Sequence, residues 1–276
     1  MIDNICKFLA ENFAADFASW ILGEAITLTK LEPSELLVEP IRADSVIFLE
    51  SSEIILHIEF QTEPNKNIPF RMVDYRLRLY RKFPERQIYQ VVIYLSPSKS
   101  PLVYENTFNL KELKYQFNII RLWEQPTAIF QKYSGLLPFA TLSQTSEPEE
   151  TLRQVAKQIE NIEDKQVQSN VAASTAIISG IALSKGIIQR LLRSEIMKES
   201  VIYQEILRKG LVEGLAKGEA KGLAKGKTKE RNQIALNMMR SNISVELIAQ
   251  FTGLNLKEIE KLQKLPISQF QGKKSK

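Results

Sequence analysis

Arg42-Ala-Asp44-Ser-Val-Ile-Phe-Leu-Glu50 and, four residues on, Ile54-Ile-Leu-His-Ile-Glu-Phe-Gln61 are the stretches on which the fold of this chain turns. Successive side chains of a strand point to opposite faces of a sheet. The second stretch therefore puts Ile54, Leu56, Ile58 and Phe60 on one face and His57, Glu59 and Gln61 on the other. A turn-like Glu50-Ser-Ser-Glu53 joins the two, which predicts a hairpin that brings Asp44 to the Glu59 end of its partner. Two acids meeting on a buried sheet require a cation between them. The polar face is expected to open on a site rather than on bulk water.

Working outward, Ile5, Leu9, Phe13, Phe17 and Trp20 recur at helical spacing and predict a helix over 3–22. Phe70 to Phe83 reads as an amphipathic helix stopped by Pro84, and Gln87 to Leu95 as a central strand. Phe117 to Trp123 and, with a weaker pattern, Leu136 to Leu142 read as further strands. The first 145 residues thus form an α-β-β-α-β-β unit, a mixed sheet with helices on both sides. Residues 146–206 are a helical extension, with Leu152, Val155 and Ile159 on one apolar face.

Gly210, Gly214, Gly218, Gly222 and Gly226 then recur every fourth residue. Each costs a helix about 1 kcal/mol relative to alanine, so 207–231 reads as a frayed helical linker, or else as a glycine ridge for close helix approach. In 232–264, Ser244 and Gly253 bracket one short helix, and Asn255-Leu-Lys-Glu258 is the capping box of a second, a helix-turn-helix-like outline. Glu258 and Glu260 make that second helix a poor major-groove reader, which favours a packing or oligomerisation module. Residues 265–276 read as a basic disordered tail.

With Cys6 the only cysteine and His57 the only histidine, disulfide frameworks, cysteine zinc sites and multi-histidine metal sites are excluded. A Ser-His-Asp or Cys-His mechanism would have to use His57 itself. The low-charge stretch Val171 to Leu183 is 13 residues, includes Ser174, Thr175 and Ser179, and reads as a buried helix, too short to span a bilayer. The N-terminus lacks a signal-peptide pattern. A cytoplasmic protein without a membrane partner is expected. The net charge of +5 equals the sum over Arg208–Arg231, with eight basic and three acidic residues. Arg71–Arg86 adds six basic against two acidic residues, a local concentration of the kind that holds phosphates.

Pro40-Ile-Arg-Ala-Asp44-Ser, His57-Ile-Glu-Phe-Gln-Thr62, Ile68-Pro-Phe-Arg-Met-Val-Asp-Tyr-Arg-Leu77 and Leu136-Leu-Pro-Phe139, in that order, resemble the PD-(D/E)XK nuclease superfamily. They are most similar to its Rpn-like group of recombination-promoting nucleases and transposases, as is the tail of Gly-Lys-Glu repeats followed by a short helical pair. The resemblance implies a restriction-endonuclease-like α/β fold and a DNA endonuclease linked to recombination or mobile DNA. It implies Mg²⁺, with Mn²⁺ as substitute, on Asp44, Glu59 and the carbonyl of Phe60. Magnesium takes few hard oxygen ligands and keeps waters, which suits that set. Gln61 stands where the superfamily commonly has lysine; it aligns a water but brings no cation. Arg71-x-x-x-Tyr75 occupies the place of a DNA-contacting motif of related nucleases.

At 100° per residue Arg71, Tyr75, Arg78 and Lys82 share one face of the helix, a basic stripe for a DNA backbone. Phe70, Val73, Leu77 and Tyr80 share another, which is expected to pack on the sheet. Glu24 or Glu11 is a possible additional acid, Glu35 and Glu39 read as surface charges, His57 as structural, and Asp74 as a partner of Arg71 or Arg78. Trp20 and Trp123 read as core. A homodimer through the helical C-terminal half suits cleavage of both strands. The rival reading is a catalytically weak or inactive DNA-binding or scaffolding protein that keeps the fold, and the residues do not separate DNA from RNA.

Overall fold

The computed structural model describes residues 2–31 and 46–263. Asp44, with Glu35, Glu39 and the 265–276 tail, lies outside the described residues. Two compact units, Met1–Glu205 and Ile206–Lys276, make up the chain.

The first unit is built on a five-stranded mixed sheet in the order β1-β2-β3-β4-β7. β1 (Thr29–Lys30), β2 (Val46–Glu50) and β3 (Ile54–Gln61) form an antiparallel meander; β4 (Gln87–Tyr94) and β7 (Asn118–Arg121) continue it in parallel. The expected hairpin is present, with Val46 opposite Glu59 and Phe48 opposite His57, closed by a Ser51 N–H to Ile54 carbonyl bond of 2.9 Å. β5 (Thr107–Leu110) and β6 (Leu113–Gln116) make a separate hairpin turned at Lys111, whose φ is 48°.

One face of the sheet carries α3 (Ile68–Lys82), which starts with Pro69 in its first turn, where a missing N–H costs nothing. The other face carries α1 (Ile2–Asn12), α2 (Ala14–Leu22) and a 3₁₀ segment over Ser134–Leu142. The single helix expected over 3–22 is therefore two, broken at Phe13. There Gly135 comes so close that a Cβ on it would lie 2.2 Å from Phe13 Cβ, while its N–H donates to Asp16 Oδ2 at 2.8 Å.

The strand expected at Leu136–Leu142 is instead this buried 3₁₀ turn; Pro138 inside it lacks the N–H a ladder needs. α4 (Thr127–Gln131), α5 (Pro148–Glu160) and α6 (Lys165–Ile178) pack around it. Leu152, Val155 and Ile159 are all buried, as their spacing predicts. Two shorter helices, α7 (Lys185–Leu191) and α8 (Ser194–Met197), follow. No helix among the described residues is long and apolar enough to cross a membrane.

The glycine repeats lie within one uninterrupted helix, α9 (Val201–Arg240), rather than in a frayed linker. A Cβ at any of Gly210, Gly214, Gly218, Gly222 or Gly226 would meet nothing within 4 Å. In the second unit the end of α9 packs with α10 (Val245–Thr252) and α11 (Leu256–Gln263) around Ala235, Ile248, Leu254, Ile259 and Leu262. The capping box forms reciprocally, Asn255 N–H to Glu258 Oε2 at 2.8 Å and Glu258 N–H to Asn255 Oδ1 at 2.9 Å. Gly253 takes the left-handed φ of 64° that ends α10, and Arg231 Nε donates to the Thr252 carbonyl there at 2.8 Å.

Candidate functional site

β3 is buried on both faces, so its period-two pattern separates two kinds of interior rather than inside from outside. Phe60 faces α2, edge-on to Phe17 and stacked on Phe139 with centroids 5.8 Å apart. His57 and Glu59 face α3 and are fully buried.

Glu59 Oε1 accepts from Arg71 Nη1 at 3.0 Å and from Gln61 Nε2 at 2.9 Å. Glu59 Oε2 has no partner among the described residues. Burial pushes the carboxyl up to about 7, against the opposing pull of the Arg71 charge and the Gln61 hydrogen bond. Arg71 also hydrogen-bonds Tyr75, whose phenol burial holds above its ordinary value. Tyr94, beside the Glu59 charge, is pushed up to about 12, chiefly by burial.

His57 is structural in its surroundings. Its ring lies 4.8 Å from Phe48 and edge-on to Tyr75 at 5.0 Å. Gln90 Nε2 donates to the Met72 carbonyl at 2.9 Å and sits 2.8 Å from His57 Nδ1, while Tyr115 donates to Gln90 Oε1. The Gln90 amide is thereby oriented as donor to Nδ1, so the proton of the neutral ring is on Nε2, which has no partner among the described residues. Burial, followed by the Arg71 charge, lowers the His57 pKa to about 3.

The basic stripe of α3 needs correction. Ile68, Met72, Tyr75 and Leu79 are the buried row, whereas Phe70, Leu77 and Tyr80 are more than half exposed; of the expected packing face only Val73 is buried. Tyr75 packs on Phe48 and His57 and does not face an outside strand. Arg71 turns to Glu59, and Arg78 pairs with Asp74 at 3.0 Å, one of the two partners expected for that aspartate. The helix carries two apolar rows, and the buried carboxylate selects the one flanked by Arg71. Lys82 lies at the exposed C-terminal end, over the Phe83 ring. Glu11 pairs with Lys30 at 3.4 Å, and Glu24 is exposed just past α2, so neither reaches Glu59 as a partner.

The carbonyl of Ile54 accepts from Ser51 on the β2 side, and alternation along β3 sends that of Phe60 to the same side, past the described start of β2. Gln61, next in line, borders an open cleft of about 530 Å³ with Thr62, Glu63, Asn65, Lys66 and Leu102. This is the carboxyl end of parallel strands, where α/β sheets commonly bind ligands. No group of three His, Cys, Asp or Glu side chains placed to hold a metal occurs among the described residues. Two members of the site were not foreseen, Gln90 and Tyr94. Gln90 was readable as the lone polar residue in the middle of an apolar strand.

No family model, no curated protein and no solved structure matches this chain.

Proposed function

We propose that the first unit is a metal-dependent endonuclease with a restriction-endonuclease-like core. The observation that carries the reading is Glu59: a fully buried carboxylate with one oxygen unpartnered among the described residues, near the carboxyl end of β3. A carboxylate is not left half-bonded in an interior without cost, and a hard cation is the natural complement of such an oxygen. The donor set suits Mg²⁺ or Mn²⁺: Glu59, the carbonyl of Phe60, and Asp44 from the segment preceding β2. A divalent ion there supplies neutralisation of charge on the phosphoryl oxygens and a lowered pKa for an attacking water.

The chain's own groups do the rest. Gln61, which donates to Glu59 and borders the open cleft, would orient the water, and Lys66 on the same cleft, with Arg71 beside Glu59, would supply positive charge. The order of helix, antiparallel meander, crossover helix and parallel strand supports the same reading. DNA is the favoured substrate, with a homodimer to cut both strands.

The rival, a DNA-binding scaffold without turnover, has one observation in its favour: Arg71 and Gln61 already occupy Glu59 Oε1. Incubation of supercoiled plasmid with Mg²⁺ or Mn²⁺ separates them. Nicking by the wild type that disappears in Asp44→Ala, in Glu59→Gln and with chelator is expected. An inert wild type, or nicking unchanged in both variants, leaves the scaffold.

A further inference from the structure

Arg71 is the cation that Glu59 holds in this structure, and its position is an uneasy one. It sits in the first turn of α3, where the helix dipole opposes positive charge. It is held there by Glu59 Oε1 at 3.0 Å and by the Tyr75 hydroxyl. Its side chain is 25% exposed whereas that of Glu59 is 0% exposed, so the arginine has a way out to solvent and the carboxylate has none. The same carboxylate keeps Oε2 unpartnered among the described residues. Gln61, bonded to Oε1 as well, borders the open cleft. A divalent cation on Oε2 and the guanidinium on Oε1 would repel each other across one carboxylate, in surroundings that screen poorly.

We propose that Arg71 is a displaceable resident cation: it neutralises Glu59 until a divalent ion binds, then swings to the cleft and contacts the substrate phosphate. This inference rests on the nuclease reading. It gives the site the positive charge that Gln61 lacks, but only once the metal is in place. Guanidinium geometry suits both tasks, since it pairs with carboxylate and with phosphate alike.

Two measurements on the full chain test it. In the first, Mn²⁺ is titrated calorimetrically into wild type, Arg71→Ala, Arg71→Gln and Glu59→Gln. Removing the competing charge is expected to tighten Mn²⁺ about tenfold in both arginine variants, the effect of a modest charge coupling, while Glu59→Gln loses the site. Arg71→Gln keeps a hydrogen-bond donor for Glu59 and serves if Arg71→Ala melts early. In the second, affinity for a short DNA duplex is followed against salt, without metal and with Ca²⁺, which takes the same oxygen ligands. Without metal the wild type and Arg71→Ala should share one slope; with Ca²⁺ the variant's slope should be shallower by about one phosphate contact.

Unchanged or weaker Mn²⁺ binding in both arginine variants, with Glu59→Gln still site-less, overturns the displacement and leaves the nuclease reading standing. Equal slopes in Ca²⁺ overturn the phosphate contact. Mn²⁺ binding that is identical in wild type and Glu59→Gln sinks the metal site itself, and this inference with it.

Discussion

The two faces of β3 are made from alternating residues of one strand, yet they solve opposite problems. The Phe60 face is aromatic and apolar, closed by Phe17 and Phe139. The Glu59 face buries two ionisable groups as deeply, each with one polar atom unpartnered among the described residues. The first face contributes stability through packing; the second spends some of it to hold a carboxylate whose pKa has risen to about 7. Such a division is expected where a strand supports a site, because perturbed titrating groups cluster there.

The largest effect should come from breaking the apolar face. Phe60→Ala removes a ring stacked on Phe139 and met edge-on by Phe17, and is expected to cost about 3–5 kcal/mol, as buried Phe→Ala changes do. Urea unfolding should show this loss equally at pH 5 and pH 8, since no charge is involved. A loss that varied with pH would mean that the two faces are not independent.

The opposite outcome is expected for Glu59→Gln. A carboxyl with a raised folded pKa contributes most below its unfolded value of 4.5 and loses that contribution as pH rises through about 7. At 1.36 kcal/mol per unit, the wild type gives up about 3 kcal/mol over that interval. The amide keeps an acceptor for Arg71 and Gln61, so Glu59→Gln should be more stable than wild type at pH 8 by about that amount, and less different at pH 4.5. A variant less stable at pH 8 would show that the Arg71 pair outweighs the burial of the charge.

His57 has the reverse sign. Its folded pKa of about 3 lies below the unfolded 6.5, so its contribution is complete above 6.5 and is lost as pH falls toward 3. Between 4.5 and 6.5 the two slopes cancel. Glu59→Gln should therefore unmask an acid-side decline of about 1.4 kcal/mol per pH unit, followed by chemical denaturation at half-unit steps. A flat profile in that variant would mean that His57 gains a proton inside the fold.

How much of this was legible in the sequence follows from the same contrast. The hairpin, the central strand and the capping box rest on local chemistry: alternation, an apolar run, and Asn-x-x-Glu at the mouth of a helix. The outward face of α3 rests on a choice between two apolar rows, made by Glu59 and Arg71, residues twelve apart that meet only in the fold. The 3₁₀ turn at 134–142 and the β5–β6 hairpin depend likewise on what packs against them, and Gly135 is small for the sake of Phe13. Continuity of α9 is a different matter: five glycines argue against a helix locally, and other residues of high helix propensity, including alanine, leucine, lysine and glutamate, outweigh them.

The smallest expected effect sharpens the comparison most. Tyr115→Phe deletes one hydroxyl at the far end of the Tyr115–Gln90–His57 chain and touches neither Glu59 nor the apolar face. It leaves the buried Gln90 Oε1 without that donor, a loss of about 1 kcal/mol, the low end of what an unpaired buried acceptor costs. Because Gln90 is also tied to the Met72 carbonyl, the amide should keep its orientation and His57 its proton on Nε2. Thermal melting should therefore fall by a few degrees while the pH profile keeps its shape, and the ¹⁵N shifts of the His57 ring should be unchanged. A changed tautomer would show that the β5–β6 hairpin, rather than the backbone of α3, orients the amide, and so that a peripheral element governs the polar face of β3.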